Sequence, residues 1–450
     1  MVEPWKGNTP GTLQPDSVST KQRRIAELAQ PHPQRAFLAL NHYLDDDWLY
    51  QAYRRTRKDG AAGIDGVTAK DYEDHLRENL QGLRERLQSG RYQAPPVRRV
   101  YMEKDKGTLR PLGIPTYEDK IAQRAVVMLL EPIYEQDFLN CSYGFRPGRS
   151  PHQALESLRN DIQGRNGRWI LDLDISNYFG TIDHRPLRAA LDQRVKDGLL
   201  RRLIDKWLKA GVLEEGIRTV PAEGTPQGGV LSPLLANVFL HDVLDTWFQR
   251  DVVPRLRGRR SMVRFADDGV GVFEHREDAE RVRVVLEKRR AKYGLTLHPT
   301  KTHLVDFRVV RDRDDTPGGP TESTFDFLGF THLWKRSRRG TWIVLRRTAP
   351  RRLARALRHV QQYCRRHRHD LLRQQYQYLC QLLRGHYAYY GILGNARSIG
   401  NFAYQVRRIW HKWLQRRNGL RRLTWAKFTA MLQRLVLPVP RIVHTFGWSP

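Results

Sequence analysis

The stretch SMVRFADDGVGVF, residues 261–273, contains two apolar runs separated by the adjacent carboxylates of Asp267 and Asp268. The pattern predicts a tight β-hairpin, and the pair Asp268-Gly269 would satisfy its turn alone. Asp267 is not needed for such a turn, and two neighbouring anions repel each other. A solvated turn is the simplest interpretation of this pair, and a carboxylate site is the alternative.

The elements on either side of the hairpin indicate the fold. The apolar run RWILDLDIS, residues 168–176, predicts a strand before it, and residues 276–294 predict a helix after it. Further elements are expected as helices near 185–197, 199–210 and 230–249 and as a strand at 302–307. The order β, α, β, β, α, β is the split βαβ pattern, in which four strands form one antiparallel sheet backed by two helical layers.

This topology brings carboxylates from two strands together. The strand that carries LDLDIS would lie beside the hairpin, so Asp174 and Asp267 would converge at one end of the sheet. Neighbouring strand residues point to opposite faces, so only one of Asp172 and Asp174 faces that site. Converging carboxylates without His or Cys companions favour Mg²⁺. Two such ions about 4 Å apart stabilise an in-line phosphoryl transfer.

The first part of the chain is expected to be mostly helical. Residues 1–20 look like a flexible lead, residues 21–58 have helical apolar spacing, and residues 72–90 predict an amphipathic helix that ends at Gly90. Residues 95–115, PPVRRVYMEKDKGTLRPLGIP, then predict a hairpin with KDKG at its turn.

The net charge of the 450-residue chain is +30, and it is unevenly distributed. Residues 331–450 contain 26 Lys and Arg residues and one acid, Asp370, so their net charge is +25, whereas residues 1–330 carry only +5. Such a basic unit repels itself unless phosphates neutralise it, which predicts a surface that faces nucleic acid. Its aromatic residues and the helical stretch RRLARALRHVQQYCRRH indicate a folded unit rather than a disordered tail.

The composition disfavours several classes of protein. Three Cys residues without a CxxC pair make neither a disulfide framework nor a thiolate zinc site, and they fit a reducing intracellular setting. Residues 1–17 lack the pattern of a signal peptide, and no run of about 18 apolar residues predicts a membrane span. We therefore expect a cytoplasmic protein, associated with RNA or the nucleoid, without a membrane partner.

Six ordered motifs give the sequence a specific resemblance. YMEKDKGTLRPLGIPTYEDKIAQRAV, together with SYGFRPGRSPHQAL, resembles the fingers of bacterial group II intron reverse transcriptases. That family's successive palm motifs resemble LDLDISNYFGTID, EGTPQGGVLSPLLANVFLHDVLD, VRFADD, YGLTLHPTKT and FDFLGF. The resemblance covers roughly residues 35–335, and the basic region after it is similar to the family's thumb, or maturase, region.

The resemblance implies an α+β fold. This fold is a right-hand polymerase, with fingers and a palm that contains the split βαβ antiparallel sheet, plus an α-helical basic thumb/maturase domain. The implied domains are a helical N-terminal extension (1–60), fingers (61–167), a palm with interleaved fingers elements (168–335) and a basic helical thumb/maturase (X) domain (336–450).

The resemblance also implies a metal site. Asp174 and Asp267 would be the chief ligands of two Mg²⁺ ions, for which Mn²⁺ can substitute, and Asp268 would assist them. Phe179 stands at the family's steric-gate position, where a ring would clash with a ribose 2′-hydroxyl and select deoxynucleotides. Without the resemblance, Phe179 would be interpreted as a core residue.

Other positions are implied to contact nucleotide or nucleic acid. Lys104 and Arg110 would bind the incoming triphosphate from the fingers turn, although a solvated basic turn is the alternative for Lys104. Gln227 and Gly228 would border the templating pair at a helix start, where small residues permit a close approach. The remaining positions are Lys301 as a general acid toward pyrophosphate, Arg146 and Arg149 as contacts to template or phosphate, and residues 325–330 as the primer grip.

Two positions depart from the family's pattern. Phe265 stands where the commonest acidic box has Tyr, which is a difference of one hydroxyl. Gly180 follows Phe179 where many members have Asp. The second change puts the turn after the strand in doubt, and it leaves the metal carboxylates in place.

The predicted function is RNA-directed DNA synthesis with two Mg²⁺ ions, combined with intron RNA binding and splicing (maturase) activity in group II intron mobility. Its partners would be an RNA template and intron RNA, a DNA primer or target, and dNTPs, and a homodimer is left open. One alternative is a domesticated reverse transcriptase in phage defence or repair. The other is a splicing-only RNA-binding maturase, which the retention of Asp174, Asp267 and Asp268 disfavours.

Overall fold

The computed structural model describes most of the chain. The described residues are 17–445, apart from 104–108, 165, 174–177, 215–216, 220–227, 296–302, 310–322 and 418–422. Several residues predicted for the site lie outside the described residues, namely Lys104, Asp174, Gln227, Lys301 and the side chains of Arg110 and Phe179. Most of the lead predicted for residues 1–20 lies outside them as well.

The N-terminal part consists of helices and one hairpin. Its elements are α1 (Val18–Ala29), α2 (Asp46–Arg55), α3 (Ala69–Asp74), α4 (Leu76–Gln88), β1 (Val97–Glu103), β2 (Leu109–Ile114), α5 (Tyr117–Asp137) and α6 (Pro151–Gly164). The strands β1 and β2 pair in antiparallel fashion, which confirms the predicted hairpin.

Two breaks make these helices shorter than predicted. A single helical segment over residues 21–58 is wrong, because α2 starts afresh where the Asp45 carboxylate accepts the N–H of Trp48 at 2.9 Å. A second break divides residues 72–90, since α3 ends and α4 begins at His75. A side chain that accepts a backbone N–H satisfies a donor that a helix start leaves open, which fixes the start of α2, whereas His75 makes no such bond at the start of α4.

The middle part carries the strands of the predicted sheet. Its elements are β3 (Trp169–Asp172), α7 (His184–Asp192), α8 (Gly198–Leu208), β4 (Val212–Glu214), β5 (Ile217–Thr219), α9 (Ser232–Leu240), β6 (Arg260–Phe265), β7 (Asp268–Phe273), α10 (Arg276–Lys292) and β8 (Leu304–Asp306). A short 3-10 helix, Tyr178–Gly180, follows β3. Two π-helical segments, His241–Thr246 and Phe248–Val252, continue α9. The helices and strands expected here are confirmed, whereas the π-helical winding was not predicted.

The central sheet has the strand order β6-β7-β3-β8. All three neighbouring pairs are antiparallel, and β3 is paired with both β7 and β8. This is the order and direction of the split βαβ pattern, so the predicted topology of the sheet is confirmed. The chain therefore folds with the end of β3 beside the hairpin formed by β6 and β7.

Helical layers cover both faces of this sheet. On one face, Leu171 and Phe273 belong to the same core as Leu286 of α10. On the other face, Ile170 and Val272 pack in a second core with Leu158 of α6. The strands alternate between these two cores because successive side chains point to opposite faces. The expectation of two helical layers is confirmed.

A second sheet joins the N-terminal hairpin to the middle part. Its strand order is β2-β1-β4-β5, and β1 runs parallel to β4. The strands β4 and β5 have three residues each, which is too short for a sequence pattern to reveal. This sheet places the hairpin β1–β2 close to the segment that leads into α9.

The C-terminal part has a three-stranded sheet followed by helices. Its elements are β9 (Phe325–Phe327), β10 (Phe330–Arg336), β11 (Trp342–Thr348), α11 (Pro350–Arg366), α12 (Leu372–Tyr390), α13 (Ala396–Gln415) and α14 (Trp425–Arg434). The helices enclose a core of their own around Phe402, Trp410 and Phe428. The chain has a mixed α+β fold, and the predicted domain boundaries stay predictions. Within the described part of the chain, no helix is long and apolar enough to cross a membrane.

Candidate active site

The adjacent carboxylates lie at the tip of the β6–β7 hairpin. Phe265 pairs with Asp268, so the loop between the strands consists of Ala266 and Asp267 only. The Asp268-Gly269 pair therefore lies in β7, and the expectation that it forms the turn is wrong. Ala266 has a φ of 57°, a left-handed conformation that is uncommon for a residue with a side chain. Asp267 and Asp268 are both half-buried at this tip.

The end of β3 lies directly beside the tip. The strand pairing places Asp172 opposite Val270, and one residue further the N–H of Leu173 donates to the carbonyl of Gly269 at 2.9 Å. Asp172 is half-buried, and Asp174 lies outside the described residues. The chain thus leaves β3 at the level where Asp268 begins β7.

The 3-10 helix after β3 lies close to the same tip. Tyr178 is buried, and its hydroxyl donates to the carbonyl of Ala236 in α9 at 2.6 Å. Burial raises the pKa of this hydroxyl well above its ordinary value, and the negative charge of Asp267 contributes to the rise. Phe179 follows Tyr178, so its backbone belongs to a segment that is tied to α9 and lies within electrostatic reach of Asp267.

Gly228 stands where the chain approaches the N-terminal hairpin. Its φ is 115°, and a Cβ atom at this position would lie 2.3 Å from the carbonyl oxygen of Gly113 in β2. A glycine is therefore required by the chain's own packing. This packing contact is separate from the predicted role of the position, which is to leave room for a templating pair.

A buried polar cluster supports the start of α9. The Gln123 side chain accepts the N–H of Leu231 at 3.1 Å and donates to the Asp119 carboxylate at 2.9 Å. Asp119 also accepts hydrogen bonds from Tyr92 and Trp207, each at 2.6 Å. Burial raises the pKa of the Asp119 carboxyl to about 6, although these hydrogen bonds oppose the rise. The helix start next to Gly228 is thus held by α5.

A second buried cluster surrounds Arg264, two residues before the turn. Its guanidinium donates to the Asp245 carboxylate at 2.8 and 2.5 Å and to the Asn237 side chain at 3.0 Å. It also donates to the hydroxyl of Ser142 at 2.8 Å and to the carbonyl of Ala266 at 2.9 Å. Burial lowers the pKa of Arg264, but the charge and hydrogen bonds of Asp245, together with smaller contributions from Cys141 and Tyr178, raise it overall.

Comparison with known proteins identifies the family of this chain. Residues 102–332, just over half of the chain, match the model of a family described as reverse transcriptase (RNA-dependent DNA polymerase). The chain belongs to the reverse transcriptase family. The hairpin with Asp267, the end of β3 and the start of α9 all lie within the matched residues.

Relatives of this reverse transcriptase point to group II introns. It is 35% identical over 372 residues to Protein YkfC of Escherichia coli, a match that covers 75% of this chain and 94% of that protein. It is also 35% identical over 306 residues to the group II intron-encoded protein LtrA of Lactococcus lactis, covering 65% of this chain and 50% of LtrA. It is also similar to nuclear intron maturase 1 of Arabidopsis thaliana, with 31% identity over 114 residues. This shorter match covers 25% of this chain and 16% of that protein.

These matches confirm the family and the enzyme class that the sequence predicted. The chain is an RNA-directed DNA polymerase of the group II intron reverse transcriptase and maturase family. It spans nearly the whole length of YkfC but only half the length of LtrA. Activities of the longer relatives therefore come to this chain only as proposals.

The two arginines of the motif FRPGRS have different environments in the reverse transcriptase. Arg146 is buried, and its guanidinium donates to Glu135 at 2.9 Å and to the carbonyls of Leu139 and Ser142. Arg149 is half-buried and donates to the Asn140 side chain at 2.8 Å. The buried ion pair of Arg146 braces the fold and does not support a contact with template, so only Arg149 remains a candidate for that role.

The predicted primer grip of the reverse transcriptase packs in the same core as Phe265, which ends β6. Leu328 and Gly329 form the turn between β9 and β10 with φ values of 48° and 80°. The hydroxyl of Tyr389, at the end of α12, donates to the carbonyl of Leu328 at 2.8 Å. Burial raises the pKa of Tyr389 to about 12, and the charge of Asp268 is among the further causes. The turn of the primer grip is thus held by a helix end that lies within electrostatic reach of Asp268.

The residues for triphosphate binding are only partly described. The backbone of Arg110 lies in β2 opposite Met102, and the turn that contains Lys104 is outside the described residues. Among the residues that the structure does describe, no three His, Cys, Asp or Glu side chains form a group that could hold a metal ion. Asp267 and Asp268 offer oxygen ligands, the type that Mg²⁺ and Mn²⁺ prefer. With Asp174 they would complete such a group.

Several residues of this site were missed by sequence reasoning. The buried members of the two polar clusters, above all Arg264, Asp245 and Asn237, were not predicted to bear on it. One signal was present, because Arg264 interrupts the otherwise apolar run MVRF just before the two aspartates. A charged residue in a buried strand needs a partner, but the sequence does not indicate that the partner is nineteen residues earlier.

Proposed function

We propose that the protein copies RNA into DNA by a two-metal mechanism at the tip of the β6–β7 hairpin. The observation that carries the proposal is the position of Asp267 and Asp268 beside the end of β3, where Leu173 and Gly269 are hydrogen-bonded. In this proposal the hairpin β1–β2 belongs to the fingers, the sheet β6-β7-β3-β8 is the palm, and α11–α14 form the thumb. The RNA-templated reaction would extend a DNA primer with dNTPs.

The carboxylates would hold the metal ions. Asp174 and Asp267 are proposed as the chief ligands and Asp268 as an assisting one, because oxygen donors from two adjacent strands suit Mg²⁺. Two bound ions would supply the Lewis acidity that helps the primer 3′-hydroxyl attack the α-phosphorus and helps pyrophosphate leave. Lys301 is proposed to give the departing pyrophosphate a proton, and Lys104 with Arg110 to bind the triphosphate.

The choice of sugar and the position of the template would depend on other residues. We propose that the ring of Phe179 excludes a ribose 2′-hydroxyl, and that Gln227 and Gly228 border the templating pair. The link between Tyr178 and Ala236 supports a fixed position for the segment that carries Phe179. Arg149 is the described residue of FRPGRS that we propose as a contact to template or phosphate.

The biological role that we propose is the mobility and splicing of a group II intron in a bacterial cytoplasm. Two observations support it: the relatives that are named as intron-encoded proteins or maturases, and the basic unit of residues 331–450 with its net charge of +25. A surface of this kind binds RNA through its phosphates. Intron RNA would then be held by the thumb while the palm copies the template.

The test is primer extension on an RNA template with Mg²⁺ and dNTPs, with RNA binding measured in the same samples. Asp267→Ala should bind RNA like the wild type. It should extend the primer on the order of a thousandfold more slowly, because the metal ions no longer stabilise the transition state by several kcal/mol. Asp306→Ala is the matched control, since Asp306 pairs with Trp169 at the other end of the sheet and should be dispensable. Phe179→Ala in the same assay should accept ribonucleotides.

Two results would count against the proposal. If the wild type binds RNA tightly without extending the primer, the polymerase mechanism fails and a splicing-only RNA-binding protein is favoured. If Asp267→Ala extends like the wild type, the metal site lies elsewhere. Unchanged sugar selectivity in Phe179→Ala would remove the gate while leaving the metal site intact.

A further inference from the structure

The ion pair between Arg264 and Asp245 is fully removed from water, since their exposed fractions are 1% and 0%. All five N–H groups of Arg264 are engaged, two by Asp245 and the others by Asn237, Ser142 and Ala266. A buried ion pair costs desolvation energy and is often no more stabilising than apolar packing. Stability alone therefore gives a weak reason for this cluster.

One of these hydrogen bonds is accepted by the backbone of the Ala266-Asp267 turn. The Arg264 guanidinium donates to the carbonyl of Ala266, the residue with left-handed backbone directly before Asp267. Such a conformation costs on the order of 1 kcal/mol or more and persists only where its surroundings enforce it. The guanidinium thus supplies a fixed partner for a turn that its own sequence, Ala-Asp, does not favour.

The opposite side of the turn is held by the segment before FRPGRS. A Cβ atom on Gly144 would lie 2.3 Å from the backbone nitrogen of Ala266, so the two backbones are in direct contact. The Asn237 side chain donates to the carbonyl of Gly144 at 2.7 Å while it accepts a hydrogen bond from Arg264. Asn237 therefore connects both sides of the turn.

Two of the partners of Arg264 belong to the helical segment that follows Gly228. Asn237 lies in α9, and Asp245 lies in the π-helical segment that continues it. Short π-helical segments occur frequently at functional sites. The cluster consequently joins α9, which follows the PQGG sequence, to the turn that carries Asp267, although neither Asn237 nor Asp245 is placed among the proposed metal ligands.

We propose that Arg264, Asp245 and Asn237 are positioning residues, which hold the Ala266-Asp267 turn in the geometry that binds divalent cations. The inference rests on the proposed function, in which Asp267 is a metal ligand. Groups that orient metal ligands typically change metal affinity about 10- to 100-fold when they are removed. The same change should affect metal binding more than it affects the binding of RNA.

The decisive variant is Asp245→Asn, which keeps the size of the side chain and removes its charge. Its matched control is Asp137→Asn, because Asp137 is likewise the carboxylate partner of a buried arginine, Arg194, at 2.9 Å. That pair joins α5 to the loop after α7 and has no described contact with the hairpin. Both variants lose one charge from a buried ion pair.

Mn²⁺ binding is measured by electron paramagnetic resonance on the protein in complex with an RNA template, a primer that ends in a dideoxynucleotide, and dNTP. No chemistry takes place in this complex, so the readout is binding alone. Thermal unfolding and RNA affinity are recorded for each variant. The Mg²⁺ concentration for half-maximal extension is measured separately with an ordinary primer.

We expect Asp245→Asn to weaken Mn²⁺ binding about tenfold or more and to raise the Mg²⁺ requirement similarly, with RNA affinity unchanged. Asp137→Asn should lower the unfolding midpoint and leave both metal readouts as in the wild type. Equal metal shifts in the two variants, or none in Asp245→Asn, would overturn the inference. If Asp245→Asn does not fold, Ser142→Ala removes one hydrogen bond to Arg264 and should weaken Mn²⁺ binding about threefold, and an unchanged affinity would overturn the inference too.

The outcome separates this inference from the proposed function. A wild-type protein that extends no primer contradicts the polymerase mechanism itself. A wild-type protein that extends, together with an inactive Asp267→Ala and an unaffected Asp245→Asn, leaves the polymerase mechanism standing and removes only the positioning role.

Discussion

At the scale of single residues, position 228 imposes two conformational and steric requirements that only glycine meets. Its backbone has a φ of 115°, and the carbonyl oxygen of Gly113 occupies the space of a side chain at 2.3 Å. The contact joins the turn before α9 to β2, so the two parts of the chain that would hold the nucleotide are in direct contact. A methyl group here must move one of them.

We expect Gly228→Ala to lower the free energy of unfolding by about 2–4 kcal/mol, because it adds backbone strain and a backbone clash. It should also raise the KM for dNTP, since β2 and the start of α9 are forced apart. The control is Gly340→Ala, where φ is 80° and no atom lies within 4 Å of the new Cβ. That variant carries the strain alone, about 1–2 kcal/mol. Urea unfolding and primer-extension kinetics are measured for both variants. Equal losses of stability and equal KM values for dNTP in the two variants would refute the role of the contact between Gly228 and Gly113.

At the scale of elements, the packing of α12 on α13 depends on a neutral histidine. His386 stacks on the ring of Phe402 at 3.7 Å, and burial lowers the pKa of His386 to about 4. In the unfolded chain a histidine takes up a proton near pH 6.5. The unfolded state therefore binds more protons between pH 6.5 and 4, and stability is lost as the pH falls through this interval.

The variant His386→Phe keeps a ring at this position and cannot take up a proton. We expect the difference in unfolding free energy between wild type and variant to change by up to about 1.4 kcal/mol per pH unit below pH 6.5, in favour of the variant. Above pH 7 the difference should be constant. Urea unfolding at pH 8, 7, 6 and 5 measures it. His369→Phe, at an exposed site, is the control for the exchange of a histidine ring, and a parallel pH dependence of wild type and His386→Phe would contradict the burial argument.

Elements with strong periodicity were predictable from the sequence, and those fixed by distant contacts were not. The hairpin β1–β2, the sheet order and the helices α7–α10 follow from local patterns of apolar residues. The turn at Ala266 does not, because turn propensity favours Asp-Gly, whereas the partners that hold Ala266 come from residues 142–144, 237 and 245. The strands β4 and β5 are too short to have a period, and they form by pairing, β4 with β1 and β5 with β4.

Some residues of the candidate site were likewise predictable from the sequence, and others depend on distant contacts. Asp267 and Asp268 stand out because two acids interrupt an apolar hairpin, and their motif resembles that of a known family. Asn237 and Asp245 do not stand out, since polar residues in a helix are ordinary until the fold brings Arg264 against them. Arg146 stands out for its motif, yet the fold buries it against Glu135. A motif thus identifies chemistry, and only the tertiary contacts tell which of its residues face a ligand.

At the scale of the whole molecule, the excess of basic residues and the candidate metal-binding carboxylates lie in different parts of the chain. The carboxylates lie in the middle part, whereas the basic excess lies in residues 331–450. The face of α11 that points away from its core carries exposed arginines at one-turn and two-turn spacings, namely Arg351, Arg355, Arg358, Arg365 and Arg366. The opposite face packs Val360 and Cys364 into the helical core. A rigid helix therefore presents a row of positive charge that can follow a phosphate backbone.

RNA binding should fall steeply with salt, because each neutralised phosphate releases a counterion. The triple variant Arg351→Gln, Arg358→Gln and Arg365→Gln should reduce the slope of log affinity against log salt concentration by about 2–3, close to one for each phosphate that the protein no longer neutralises. Its control is Arg281→Gln, Arg283→Gln and Lys288→Gln on α10, whose exposed basic residues alternate with acids. Filter binding from 50 to 500 mM KCl gives both slopes. Since α11 lies outside the carboxylate site, extension at saturating RNA should be unchanged in the triple variant. Equal slopes for the triple variant and the wild type would mean that the RNA path avoids α11.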